Sequence, residues 1–291
     1  MDKEFLRKKI FAKINNLPAL PVVIPKLLNL LEKRETTTSQ IVDTVSHDPA
    51  LTSKILQVAN SAYYGFPQKI SSLDRAIALL GFNMVKSLAL SIGVIHTLPR
   101  TTFQQRFSHE DLWVHSLAVA TLMRQLGKSI KLDTEASETL FVIGLLHDVG
   151  KIVLDQFFTE EFHKALSLMA SDPTIPFHEA ELETIGIDHG ETGGLLLSRW
   201  RFPQSIVQPI HAHHQKDEIP TQADRSDVAL LRVCDSVAQK SGVGTGGNLL
   251  PLPMQEEDLD VLGFDSQTLV EAEKYLQDIQ KDIYTFYRAM Q

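Results

Sequence analysis

The chain has 291 residues, 43% apolar and 22% charged, a globular balance with length for one large or two modest cores. Its 28 Lys and Arg against 36 Asp and Glu leave a formal charge of -8, which argues against a basic face for nucleic acid. A single cysteine, Cys234, excludes an internal disulfide and a cysteine-built zinc knuckle, so metal ligands would have to be histidine and carboxylate.

The start, Met1-Asp2-Lys3-Glu4, is too charged for a secretory leader. Apolar stretches such as Ser87 to Leu98 are interrupted by Ser, Gly or His and fall short of a membrane span, so a cytoplasmic protein is expected. The basic cluster Arg7 to Lys9 with Lys13, mixed with Ile10 and Phe11, reads as the solvated side of an amphipathic helix. After Leu17-Pro18-Ala19-Leu20-Pro21, the three- and four-residue spacing of Ile24, Leu27, Leu28 and Leu31 predicts a helix. Thr37-Thr38-Ser39 before Ile41 and Val42 marks another start. Asp48-Pro49-Ala50 opens a helix with proline in its first turn, carrying Leu51, Ile55, Leu56 and Ala59. A further helix is expected through Leu73, Ala76, Ile77, Leu80 and Phe82. Asn60 to Gly65 (NSAYYG) reads as a helix C-terminus stopped by Gly65.

Two seams follow. Pro99 to His109 is polar and carries a proline, which places the end of the N-terminal helices there. Ser241 to Pro253 holds four glycines and two prolines and suggests a flexible loop. The tail from Ser266 to Gln291 reads as one amphipathic packing helix with Leu269, Ala272, Tyr275, Leu276, Ile279, Ile283 and Phe286. Strand alternation is nearly absent. The expected architecture is all-α, with an N-terminal helical part over 1–105 and a second helical part over 106–291 that the tail helix closes.

Within that second part, Phe141 to Leu154 (FVIGLLHDVGKIVL) is apolar almost all round and reads as one buried helix. It nevertheless holds His147, Asp148 and Lys151, and a buried carboxylate needs a cation, a network or a pocket. In a continuous helix Lys151 shares a face with His147, one turn away. Gly150 removes a side chain where something must approach closely. Upstream, His115 completes an apolar stripe of Leu112, Val119, Leu122 and Leu126, with Asp111 one turn before it. Downstream, the spacing of Asp188-His189-Gly190-Glu191 is that of a capping box, which puts His189 in the first turn of a helix. The next helix holds Ile206, Ile210, His211, His213 and His214; the histidines read either as a solvated helix end or as ligands. Asp235 lies in another apolar run, Leu230 to Ala238, where Cys234 reads as a small core residue. Core-directed His and Asp on several helices together suit iron, manganese, zinc or magnesium. Two such ions close together can clamp a phosphate and activate water.

The order His115, His147-Asp148, Asp235, with Leu145-Leu146-His147-Asp148-Val149-Gly150-Lys151 around its centre, resembles the signature of the HD metal-dependent phosphohydrolase superfamily. The N-terminal third is similar to the HDOD family (HD-related output domain) in Leu17 to Pro21, Asp48 to Leu51, Ala59 to Gly65 and Ala76 to Gly81. The resemblance covers roughly residues 15 to 245. It implies a bacterial signal-transduction output module, often with an eroded HD motif; here the whole quartet is kept. His189 followed by Gly193, and His213-His214, further resemble the extra histidine ligands of the HD-GYP cyclic-dinucleotide phosphodiesterases. Asp111 stands where some of those enzymes carry an acidic ligand, and Lys151 matches a lysine that contacts substrate phosphate. The Gly-Tyr-Pro loop is missing, since Gln215-Lys216-Asp217-Glu218-Ile219-Pro220 follows the histidine pair.

The resemblance thus implies two divalent transition-metal ions (Fe, Mn or Zn) held by His115, His147, Asp148, His189, His213, His214 and Asp235, with Lys151 and Asp148 in the catalytic roles. The expected function is a signal-transduction output protein acting as a metal-dependent phosphohydrolase or phosphodiesterase on a phosphate-containing small molecule or nucleotide. The alternative is a non-catalytic module that uses the pocket for structure or ligand sensing and passes a signal to a protein partner. Neither nucleic acid nor a membrane is expected as a partner.

Overall fold

A computed structural model describes residues 3–31, 36–98, 107–130, 134–215 and 222–291, and among these the regular structure is entirely helical. The expected boundary near residue 105, much of the Pro99 to His109 seam, and 216–220 lie outside the described residues. Six helices come first: α1 (Lys3–Asn15), α2 (Val23–Leu31), α3 (Thr38–Ser46), α4 (Pro49–Ala59), α5 (Leu73–Leu80) and α6 (Phe82–Thr97). The remainder holds α7 (His109–Ser129), α8 (Thr134–Leu146), α9 (Val149–Phe157), α10 (Thr159–Ser171), α11 (Phe177–Thr184), α12 (His189–Arg199), α13 (Gln204–Ala212), α14 (Gln222–Ser241), α15 (Glu256–Leu262) and α16 (Ser266–Met290). No single helix among the described residues is long and apolar enough to cross a membrane.

The local start signals act as the sequence predicts. Thr37 caps α3 in a reciprocal box with Gln40, and Asp48 caps α4 with Pro49 at its first position. In α1, Leu6, Ile10 and Ile14 are buried while Arg7, Lys8 and Lys9 face solvent. Asn60 closes α4 and staples the following turn: its amide donates to the carbonyls of Leu56 and Ile70, and its Oδ1 accepts from the Ile70 N–H.

One helix boundary differs from expectation. The apolar run through Leu80 and Phe82 is two helices, bent by 116°. Gly81 stands at the corner with φ 89° and ψ 156°, a conformation that glycine adopts without strain from a Cβ. The hydrophobic pattern continues through the corner, so periodicity alone did not reveal it.

A single apolar core runs from Leu6 to Met290. The pair α7 and α8 forms its axis: α7 also packs on α14 and α16, and α8 on α6 and α13. The tail helix α16 forms as expected and lies across α4, α7 and α14. Its Phe286 is 1% exposed and packs edge-on to Tyr63, with ring centroids 4.9 Å apart, and to Phe141 at 6.3 Å. Burying such a ring contributes about 1.5–3 kcal/mol, plus the aromatic contacts. We expect Phe286→Ala to destabilise the fold by about 3–5 kcal/mol in urea unfolding, and Phe286→Leu by much less. A loss under about 1 kcal/mol for the alanine variant would mean that α16 is not part of the cooperative core.

Candidate metal centre

The expected single helix over Phe141 to Leu154 is two, and the break falls on His147-Asp148. Asp148 sits at φ −94° and ψ 6° between α8 and α9, so the dipeptide forms the corner rather than one face of a rod. Gly150, in the first turn of α9, permits a close neighbour there. A Cβ there would stand 2.0 Å from the His189 carbonyl oxygen and 2.9 Å from the Gly193 amide nitrogen. The close approach inferred from Gly150 is therefore the backbone of α12, which brings His189 beside Asp148.

Three of the imidazoles, those of His147, His213 and His189, are aimed by a bond on the far side. His147 Nδ1–H donates to the Gly144 carbonyl at 2.7 Å, and His213 Nδ1–H to the Ile210 carbonyl at 2.6 Å, leaving both Nε2 atoms facing the interior. His189 opens α12 behind its Asp188 cap, as its sequence spacing predicts. The reciprocal half of that box is replaced, because Glu191 pairs with Arg7 of α1. Glu181 of α11 holds His189 twice: Oε2 accepts from its backbone N–H at 2.8 Å and from Nδ1–H at 2.6 Å.

Six of the expected residues converge as two trios. In His115, His147 and Asp148, one ligand atom from each lies within 4.8 Å of the others, and the same holds for His189, His213 and His214. Asp148 stands between the trios, with Oδ1 3.2 Å from His189 Nε2 and Oδ2 3.4 Å from His147 Nε2. Asp235 flanks the first trio, its Oδ1 2.9 Å from His115 Nε2 and 4.0 Å from His147 Nε2. It also accepts from Gln239 Nε2 at 2.8 Å.

The donor set fits divalent cations. The Nε2 atoms of His115, His147 and His213 are buried without a hydrogen-bond partner. At 2.9 Å from Asp235, His115 is close but out of line for a hydrogen bond. Buried imidazole nitrogens without a hydrogen-bond partner suit metal ligation, His115 and His147 in one trio and His213 in the other. Burial pushes the pKa values of His147, His213 and His214 down, which keeps those rings neutral as ligation requires. His189 goes the other way, to about 9, because its burial is outweighed by Glu181 and Asp148, so it has to give up its Nε2 proton to hold an ion. Burial opposes the charge on Asp148, but His147, Lys151 and the His189 hydrogen bond outweigh it and hold the carboxyl well below its usual range.

Two expectations need correction. Asp111 is not part of either trio. Its backbone carbonyl accepts from the Thr245 N–H at 3.1 Å, and its charge is felt at Tyr284 of α16. The segment after Ser241 is not the flexible loop expected, because it is pinned across the site. Thr245 binds α7, the Gly246 carbonyl accepts from Lys151 Nζ at 2.7 Å, and Asn248 Oδ1 accepts from the Phe177 N–H at 2.8 Å. Gly246 lets the segment lie close, since a Cβ would press at 3.0 Å on the His115 ring and 3.1 Å on Asp148 Oδ2. Of the remaining residues, Lys151 binds Asp148 Oδ2 at 2.7 Å, His211 lies against Gly194 outside the trios, and Cys234 is a buried core thiol. Sequence reasoning missed Glu181, which looks like an ordinary surface acid in its helix, and His178, which stacks on His214 at 4.1 Å.

The family model for the HDOD domain matches residues 17–216. The chain belongs to the HDOD family. An uncharacterized Treponema pallidum protein is 25% identical over 217 residues, which is 75% of this HDOD chain but 41% of that relative. The chain thus spans about two fifths of it. Solved structures share the fold. An HDOD protein of unknown function from Geobacter sulfurreducens is 22% identical with a TM-score of 0.78, covering 99% of this chain and 97% of its own. A protein from Shewanella amazonensis, provisionally named a phosphohydrolase, is 21% identical with a TM-score of 0.75, covering 97% and 98%.

The Glu181–His189 pair generates a prediction. Glu181→Gln should weaken metal binding about 10–100-fold, as loss of a carboxylate behind a ligand histidine does. Competition with a chromogenic chelator measures it. Unchanged affinity would place the metal elsewhere.

Proposed function

We propose that this HDOD protein is a signal-transduction output module whose two histidine-rich trios each hold a divalent transition-metal ion, and that the centre hydrolyses a phosphate ester. The observation that carries this reading is Asp148, one carboxylate with an oxygen towards each trio. Iron, manganese and zinc all suit the histidine and carboxylate set. Two bound ions would supply Lewis acidity and an activated water.

The chain's own residues supply the rest. A cavity of about 300 Å³ is lined by His213, His214 and Asp235 together with Arg232, Pro253 and Met254, a size that admits a small phosphate ester. Arg232 does not face such a ligand freely. Its Nε–H donates to the His213 carbonyl at 2.8 Å and its Nη2–H to Gln215, so it caps the end of α13 and fixes the histidine pair. Lys151 steadies Asp148, and its ammonium would offset charge developing on a phosphate held beside the trios. The provisional phosphohydrolase name of the Shewanella relative is consistent with this chemistry.

A non-catalytic reading is favoured by one observation: Lys151 is engaged by both Asp148 and the Gly246 carbonyl, under a glycine segment seated on the site. In that version the filled pocket is sensed by a signalling protein partner.

Metal-loaded protein assayed against aryl phosphates, phosphodiesters and nucleotides decides between the two. Turnover should disappear in His147→Ala and fall about 10²–10³-fold in Lys151→Met, the scale of losing one fixed charge at a reacting phosphate. Loaded protein that hydrolyses none of them would leave the non-catalytic reading standing.

A further inference from the structure

Away from the histidines, a cavity of about 840 Å³ lies between the C-terminal half of α7 and the corner joining α15 to α16. Among the described residues three charged side chains line it: Arg124 and Lys128 from α7, and Glu271 from α16. Two positive charges therefore meet one negative charge, in a chain whose net charge is -8. Glu271 is partly engaged, its Oε1 accepting from Gln267 at 2.7 Å. Leu126 and Ala272 give the same cavity apolar surface.

Arg124 is the unusual member. Its side chain is only 17% exposed, and among the described residues the carboxylate that pairs with it, Glu138 Oε1, is 4.0 Å away, too far for a hydrogen bond. Nη2–H donates to the Tyr63 hydroxyl at 2.9 Å, Nη1 approaches Met84 Sδ at 3.8 Å, and the guanidinium lies over the Phe141 ring at 5.5 Å. A guanidinium offers five N–H donors, and among the described residues the oxygens set against it are the neutral phenols of Tyr63 and Tyr64. Around it, Glu138 Oε2 and the Tyr64 hydroxyl are buried with no hydrogen-bond partner. Burial pushes the Glu138 carboxyl up, which weakens it further as a counter-charge. A largely buried cation without a hydrogen-bonded anion is costly, and an anion entering the cavity would relieve that cost. Lys128 lies one helical turn further along the same face and adds charge at the rim.

We propose that this cavity is a second ligand site, for a small molecule carrying an oxyanion group, phosphate or carboxylate, on an apolar body, with Arg124 as the anchor. The proposal is independent of metal binding and of phosphate-ester hydrolysis, so either can fail alone.

Isothermal titration of metal-stripped full-length protein with inorganic phosphate, and separately with succinate, tests it. At least one probe should show a saturable site that persists in His147→Ala and is lost in Arg124→Gln. Gln125 is an exposed residue of the same lining, so Gln125→Glu adds a repelling charge without disturbing the core. It should weaken binding about tenfold or more. Binding of phosphate alone would identify a phosphate ligand, and binding of succinate alone a carboxylate. No saturable site for either probe at millimolar concentrations, or a site indifferent to Gln125→Glu, would overturn the proposal.

Discussion

The interior of this protein holds more ionisable groups than its hydrogen bonds can satisfy. His115, His147 and His213 each keep an inward ring nitrogen without a hydrogen-bond partner, and Asp148 and Asp235 bring carboxylates into the same volume. Apolar helices surround them on every side. Such a cluster is tolerable only if something of opposite charge completes it, because unpaired buried polar groups cost more than the folding balance of a domain easily absorbs. The other features of the region follow from that requirement.

Convergence of these side chains from α7, α12, α14, the end of α13 and the α8–α9 corner demands close backbone approach. Gly150 lets α9 meet α12, and Gly246 lets the 242–253 segment lie on His115 and Asp148. Orientation then comes from groups outside the trios: the Gly144 and Ile210 carbonyls, Glu181, and Arg232 at the end of α13. Carbonyls and carboxylates behind the imidazoles fix which nitrogen points inward, the usual way that a protein sets a histidine ligand.

Much of this was legible in sequence because polar residues stood out against apolar helices. His115 filled a gap in an otherwise hydrophobic stripe, and His147-Asp148 interrupted an apolar run. His189 sat at a recognisable cap, and Asp235 lay inside another apolar helix. The same criterion failed where the pattern was silent. The corners at Gly81 and at His147-Asp148 keep hydrophobic periodicity on both sides, so continuous helices were expected there. Glu181 is embedded in a charged helix and only the fold shows it buried. Asp111 failed the other way: register placed it beside His115, but its carboxylate is not brought into either trio. Glycine content made 241–253 look loose, whereas those glycines allow intimate contact with the site.

The most direct test is the metal content of the purified full-length protein by elemental mass spectrometry, beside His147→Ala and His213→Ala. Close to two transition-metal ions per chain, with each variant losing occupancy while circular dichroism shows the fold retained, is the predicted result. Folded protein that carries no metal and takes up no added iron, manganese or zinc would contradict the account.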